Sequence, residues 1–186
     1  MHVETHRLSA NGLTHFVHDS GEVDAPAAIL LHGFPDSSAV WRKVTPLLVD
    51  AGFRVIAPDL RGFGETDMAT SVADYDIQNG AFKDVLAIMD ALKIETAHIA
   101  GHDFGAPVAW MLAAQRPQRF KTLTALSVGH TRAFLKAGWE QKWRSTYILF
   151  HQFRGLCEAA YRANDWALLR KHWSAHGDIE ETIRLL

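Results

Sequence analysis

Two kinds of hydrophobic spacing alternate along the chain. Ala27-Ala28-Ile29-Leu30-Leu31, Phe53-Arg54-Val55-Ile56-Ala57, Ala97-His98-Ile99-Ala100 and Leu123 to Val128 are short, nearly continuous apolar runs, each followed within a few residues by Gly or Asp. Runs of that length and ending predict strands buried on both faces. Between them Trp41, Val44, Leu47, Leu48 and Ala51, and later Ile77, Ala81, Val85, Ile88, Met89 and Leu92, recur at spacings of three and four, which predicts helices with one apolar face. A further helix is expected from Phe104 to about Gln115, ending before Arg116-Pro117. At the N-terminus His2 to Leu8 and Leu13 to His18 flank Asn11-Gly12, a pair that tolerates positive φ, so this segment predicts a hairpin. Strands alternating with helices imply βαβ units and a mostly parallel sheet, the α/β class.

The pattern changes near His130. No strand run follows, and Trp139, Trp143, Trp166 and Trp173 lie among Lys, Arg and Leu in what reads as several helices separated by Gly138, Gly155 and Asn164-Asp165. Composition narrows the class. The 186 residues amount to one domain, or one with an appendage, and 48% hydrophobic with 22% charged residues is the balance of a folded globule. A net charge of −2 supplies no basic face for nucleic acid. Cys157 is the single cysteine, so no internal disulfide is expected, and it reads as a small buried hydrophobe. The first residues do not read as a leader, and the apolar runs are shorter than the roughly 20 residues of a membrane helix, so a cytoplasmic protein without a membrane partner is expected. No Cys/His cluster has metal-ligand spacing, and no metal or cofactor is expected.

Chemistry concentrates in three segments. Gly101-His102-Asp103-Phe104-Gly105 joins a buried strand to a helix, with small residues around one side chain pushed out at a tight turn. Taken alone, the pentapeptide suits an Asp that caps a helix better than one that does chemistry. His32-Gly33-Phe34-Pro35 follows the third strand, where a backbone N–H can be aimed at that turn, and Asp59-Leu60-Arg61-Gly62-Phe63-Gly64-Glu65-Thr66 follows the fourth.

In this order and at these strand ends, the three segments resemble the α/β-hydrolase fold. HGFP together with GHDFGAPVAW resembles its epoxide hydrolase and haloalkane dehalogenase branch. The resemblance implies a mostly parallel sheet with an N-terminal hairpin and βαβ units over residues 1–129, and the start of a helical cap over 130–186. It also implies that Asp103 is a nucleophile forming an alkyl-ester intermediate, with the backbone N–H groups of Phe34 and Phe104 as the oxyanion hole. His32, Gly33, Pro35, Gly101, His102 and Gly105 support that geometry. A carboxylate is already ionised at neutral pH and attacks saturated carbon without a base, in keeping with this residue at the turn.

Within the branch, Phe34 and Phe104 stand where haloalkane dehalogenases carry side-chain halide donors, which favours an epoxide over a haloalkane; Trp is commoner than Phe at position 104. The resemblance offers Tyr147 as the cap tyrosine that protonates the opening ring, while its spacing to Phe150 also suits a packed aromatic. A small apolar substrate is expected, and haloalkane dehalogenase-like hydrolysis stays open as a further reading. The family places an acid and a His on later strands, and nothing after Asp103 resembles them; Leu126 to His130 offers no carboxylate, and His130 reads as a loop histidine before it reads as a substitute base. The last two strands are therefore expected to be absent, leaving a chain incomplete for turnover or, alternatively, a non-catalytic binding or assembly remnant. Uncharged Leu123 to Val128 would then form a sheet edge prone to self-association.

Overall fold

The computed structural model describes residues 3–130, 133, 136, 138–153 and 155–173. The chain divides into two compact units, Met1–His130 and Thr131–Leu186.

The first unit is built on six strands: β1 (Val3–Ala10), β2 (Leu13–Ser20), β3 (Ala27–Leu31), β4 (Arg54–Pro58), β5 (Ala97–His102) and β6 (Phe120–Leu126). They lie in the order β1-β2-β4-β3-β5-β6. β1 and β2 form an antiparallel hairpin whose turn residues Asn11 and Gly12 both take positive φ, as a tight two-residue turn between right-twisted strands requires. β2 joins β4 antiparallel, and β4, β3, β5 and β6 run parallel. This is the mostly parallel α/β sheet that the alternating runs predict.

Strand residues alternate between two apolar layers. Ile29, Leu31, Ile56 and Ile99 point toward one face, where they meet Phe82, Val85 and Met89 of α2 (Ala81–Ala91) and Val108, Ala109 and Leu112 of α3 (Gly105–Gln115). Leu30, Val55 and Ala57 point the other way, onto Trp41 and the side chains of Leu48 and Val49 from α1 (Thr45–Asp50). Both faces of β3 and β4 are therefore covered, which is why β3, and β4 after Arg54, are apolar at every position rather than at alternate ones. β6 is the far edge, and most of its residues after Phe120 are exposed.

Element limits depart from the hydrophobic spacing at four places, each with a local cause. The single helix expected over Trp41 to Ala51 is a tight turn of helix at Ser38–Lys43 followed by α1, because Pro46 falls in the first turn of α1 and brings no N–H. α2 starts at Ala81 rather than Ile77, since Gly80 has a non-helical backbone (φ −93°, ψ −108°). Phe104 caps α3 rather than starting it. β6 covers Phe120–Leu126 rather than Leu123 to Val128, and Ser127, at φ 67°, turns the chain away.

The second unit contains α4 (Trp139–Arg144), α5 (Thr146–Phe150) and α6 (Leu156–Trp173), with α6 broken at Ala163 to Trp166, where the backbone leaves the helical region. Gly138, Gly155 and Asn164-Asp165 lie at those interruptions. Cys157, Tyr161 and Leu169 form its small buried cluster, so Cys157 sits as a buried apolar residue.

Two buried ion pairs tie the hairpin to β4 and the loop after β4 to α2. Arg54 grips Asp19 with two bonds, Nε to Oδ1 at 3.0 Å and Nη2 to Oδ2 at 2.6 Å. Arg61 grips Asp84 of α2 in the same way, Nε to Oδ2 at 2.7 Å and Nη2 to Oδ1 at 2.6 Å, and also donates to Asp74 O. Burial, the largest influence on the Asp84 carboxyl, raises it; His15 at 3.5 Å, Arg61 and Asn11 together outweigh burial and hold the group below the ordinary carboxylate range. A depressed carboxyl contributes stability in full above its unfolded value of about 3.9, and loses it as the pH falls through the lower folded value. Asp84→Asn should therefore destabilise the fold by about 3–5 kcal/mol near neutral pH, because Arg61 is left buried and unpaired. Urea denaturation of both forms measures this, and the gap should narrow as the pH falls below about 3.9, where the unfolded carboxyl takes up a proton before the folded one does.

Candidate active site

Strand order creates the site. From β3 the chain crosses to β4 on one side and then returns to β5 on the other, so the loops leaving the carboxyl ends of β3 and β5 diverge from neighbouring strands in register, Leu31 beside Gly101. Such a switch point opens a crevice at the strand ends in doubly wound sheets.

Asp103 occupies the turn from β5 into α3 with φ 48°, a left-handed backbone that is uncommon outside Gly, Asn and Asp. Its N–H donates to Leu126 O at 3.3 Å and its carbonyl accepts from Ala106 N–H at 3.0 Å, so strand β6 and helix α3 fix the turn from either side. Close approach dictates the neighbouring residues. A Cβ on Gly33 would come within 2.8 Å of Asp103 Oδ1, and one on Gly105 within 2.6 Å of His32 O. Gly101 faces the backbone of Gly105 just as closely. With those side chains absent, the Phe34 N–H reaches Asp103 Oδ1 at 3.0 Å. The Phe34–Pro35 peptide is cis. Eleven-residue α3 begins directly beyond the turn.

His32 holds the two loops from beneath. It is fully buried, and the Leu60 N–H donates to its Nε2 at 2.9 Å, which makes Nε2 the acceptor; Nδ1 therefore carries the proton and donates to Gly33 O at 2.9 Å. Burial is the main cause that pushes this imidazole below its ordinary value, so it is neutral. Its ring packs edge-on against Phe63, which also meets Phe34. Of the other expected residues, His102 ends β5 half-buried, Phe104 packs its ring against the apolar core, and His130 lies edge-on to Trp110 at 5.3 Å. Tyr147 belongs to the second unit, on α5, and is 43% exposed.

Asp59 has a part that hydrophobic spacing does not reveal. Its buried carboxylate accepts from Ser38 N–H at 2.8 Å and Glu65 N–H at 2.9 Å, and its carbonyl accepts from the Thr66 hydroxyl at 2.8 Å, which closes the loop after β4 beside His32. An acid placed directly after a buried strand and before two loop glycines was the available signal. Among the described residues, no group of three or more His, Cys, Asp or Glu side chains is arranged to hold a metal ion, and no helix is long and apolar enough to cross a membrane.

A mostly parallel α/β sheet with a left-handed strand-to-helix turn at its switch point has the architecture of an α/β hydrolase. Residues 26–173 match the sequence pattern of the alpha/beta hydrolase fold family, and the chain belongs to that family. It is 35% identical over 167 residues to the AB hydrolase superfamily protein YfhM of Bacillus subtilis, covering 88% of this chain and 58% of that protein. It is 34% identical over 180 residues to epoxide hydrolase A of Mycobacterium tuberculosis, covering 92% and 55%. The crystal structure of epoxide hydrolase VrEH1 from Vigna radiata superposes with a TM-score of 0.76 at 33% identity, covering 86% of this chain and 53% of that one. These similarities agree with the epoxide hydrolase branch, and the chain spans about half the length of the relatives it matches.

A lowered histidine is neutral in the folded protein, whereas the unfolded chain takes up a proton near pH 6.5. The stability His32 confers is thus complete above that value and declines as the pH falls below it. Wild type should exceed His32→Asn in unfolding free energy by more at about pH 7.5 than at about pH 5.5, with a slope of up to about 1.4 kcal/mol per pH unit. Urea titrations at both pH values check this; a gap independent of pH would count against a neutral buried His32.

Proposed function

We propose that this site opens epoxides by nucleophilic substitution at carbon, with Asp103 as the nucleophile. The observation that carries the reading is the bond from Phe34 N–H to Asp103 Oδ1 at 3.0 Å. It engages one carboxylate oxygen and leaves Oδ2 to attack. As the Oδ2–carbon bond forms, the ring C–O bond breaks and its electron pair stays on the substrate oxygen, which takes a proton. By resemblance, the donor is the Tyr147 phenol. Oδ1 becomes the carbonyl oxygen of the new ester, already on the Phe34 N–H, with the Phe104 N–H as second donor; hydrolysis would develop its negative charge there. The likeness to epoxide hydrolases supports the epoxide as substrate, and the aromatic rings of Phe34 and Phe63 beside the turn suit an apolar one.

The second half-reaction would need a base, so the ester is the species to trap, by acid quench at early times. Incubation with a reactive aryl epoxide should add one substrate mass to the chain, and peptide mass spectrometry should place it on Asp103. Asp103→Asn should stay unlabelled; equal labelling of that variant would remove Asp103 as nucleophile. Chloroalkanes of similar size should label far more slowly, because the rings at positions 34 and 104 donate no hydrogen bond to a departing halide.

The same reading gives this chain a sticky edge. β6 is uncharged apart from Lys121, has no Pro, and leaves Leu126 40% exposed at the border of the sheet. Size-exclusion chromatography with light scattering should show self-association, and Thr122→Lys with Thr124→Lys should reduce it. A wild-type chain that stays monomeric at high concentration would contradict this.

A further inference from the structure

The second unit contains a linked set of three ring side chains that the turn at Asp103 does not use. Tyr147 lies on α5 and His151 caps its C-terminal end one turn later, with the His151 N–H donating to Tyr147 O at 3.1 Å. Their rings meet edge-on, centroids 5.7 Å apart at 78°. His151 Nε2 lies 2.7 Å from the hydroxyl of Tyr161 on α6. Tyr161 is 6% exposed and packs with Cys157, Leu169 and Phe150. Burial thus decreases outward: Tyr161 sits in the buried cluster, His151 is half-buried, and Tyr147 is exposed.

We infer that Tyr161 and His151 are positioning residues for Tyr147: the buried Tyr161 hydroxyl anchors the imidazole, and the imidazole limits the orientations of the Tyr147 ring. This rests on the assignment of Tyr147 as the ring-opening acid. A proton donor contributes only while it is within hydrogen-bond reach of the reacting oxygen, and a tyrosine standing outward from a five-residue helix has rotamers in which it is not. Contact with one immobilised ring removes part of that freedom before substrate arrives. The arrangement differs from simple core packing, because the anchoring bond is polar and the ring it restrains is the most exposed of the three.

The test is the single-turnover rate at which an aryl epoxide labels Asp103 in the full chain, followed by intact mass, for wild type, Tyr161→Phe, His151→Phe and Tyr147→Phe, and for the first two changes combined with Tyr147→Phe. Tyr161→Phe keeps the ring and removes only the hydroxyl; it should slow labelling by about 3- to 10-fold, a fraction of the 10²- to 10⁴-fold span of general acid catalysis. In the Tyr147→Phe background it should change nothing further, since residues acting through one group are not additive. His151→Phe should behave likewise, and circular dichroism confirms that each variant is folded. NMR of the Tyr147 ring supplies a readout independent of reaction: its line shape should change to that of a faster-flipping ring in Tyr161→Phe. Unchanged labelling and unchanged line shape in Tyr161→Phe and His151→Phe would overturn the inference, as would equal slowing with and without Tyr147. If Tyr147→Phe labels as fast as wild type, Tyr147 is not the acid and the inference falls with it; if no variant labels, Asp103 is not the nucleophile and both fall.

Discussion

The turn after β3 and the turn after β5 pass so close that Gly33 and Gly105 have no room for a Cβ, and the organisation of the turn at Asp103 follows from that approach. Parallel pairing of Leu31 with Gly101 sets the distance between the strands. Gly33 and Gly105 then admit the two backbones to each other, and the Phe34 amide meets the Asp103 carboxylate. Neutral His32 completes the arrangement by bonding Gly33 O and the Leu60 N–H, the backbone of the loops after β3 and β4, without bringing a charge beneath Asp103.

Much of this could be read along the chain because it rests on local chemistry. Strand β3, and β4 after Arg54, are apolar throughout since helices cover both faces, so their runs stand out without any alignment. Asn11-Gly12 names its own turn, and GHDFG names a strand-to-helix junction. The helix limits were less legible: Pro46 and Gly80 act through backbone geometry, and the apolar spacing passes over both without a break.

Long-range polar pairs were the least legible of all. Arg61 and Asp84 are separated by 23 residues, Asp19 and Arg54 by 35, and neither pair has a spacing that marks it. Asp59 lay within a segment already singled out, yet its part as a double acceptor for Ser38 and Glu65 emerges only once the loops are folded together. Candidate site residues were legible where one turn contains them, as with Asp103 and its glycines. Tyr147 owes its assignment to resemblance, because its spacing is equally that of a packed aromatic.

The two borders of the sheet differ in character. β1 faces outward with Glu4 and Arg7 exposed, while β6 presents threonines and apolar residues. Charges of both signs on β1 discourage strand addition there. Were copies to associate as proposed, contact would be restricted to one border, and a patch that meets its own equivalent through a two-fold axis would be consumed in the act. Growth from such a sheet would stop at a closed pair. A sheet with two receptive borders would instead permit an open-ended ribbon, so the polarity of the hairpin would set the stoichiometry available to the strand at the opposite side.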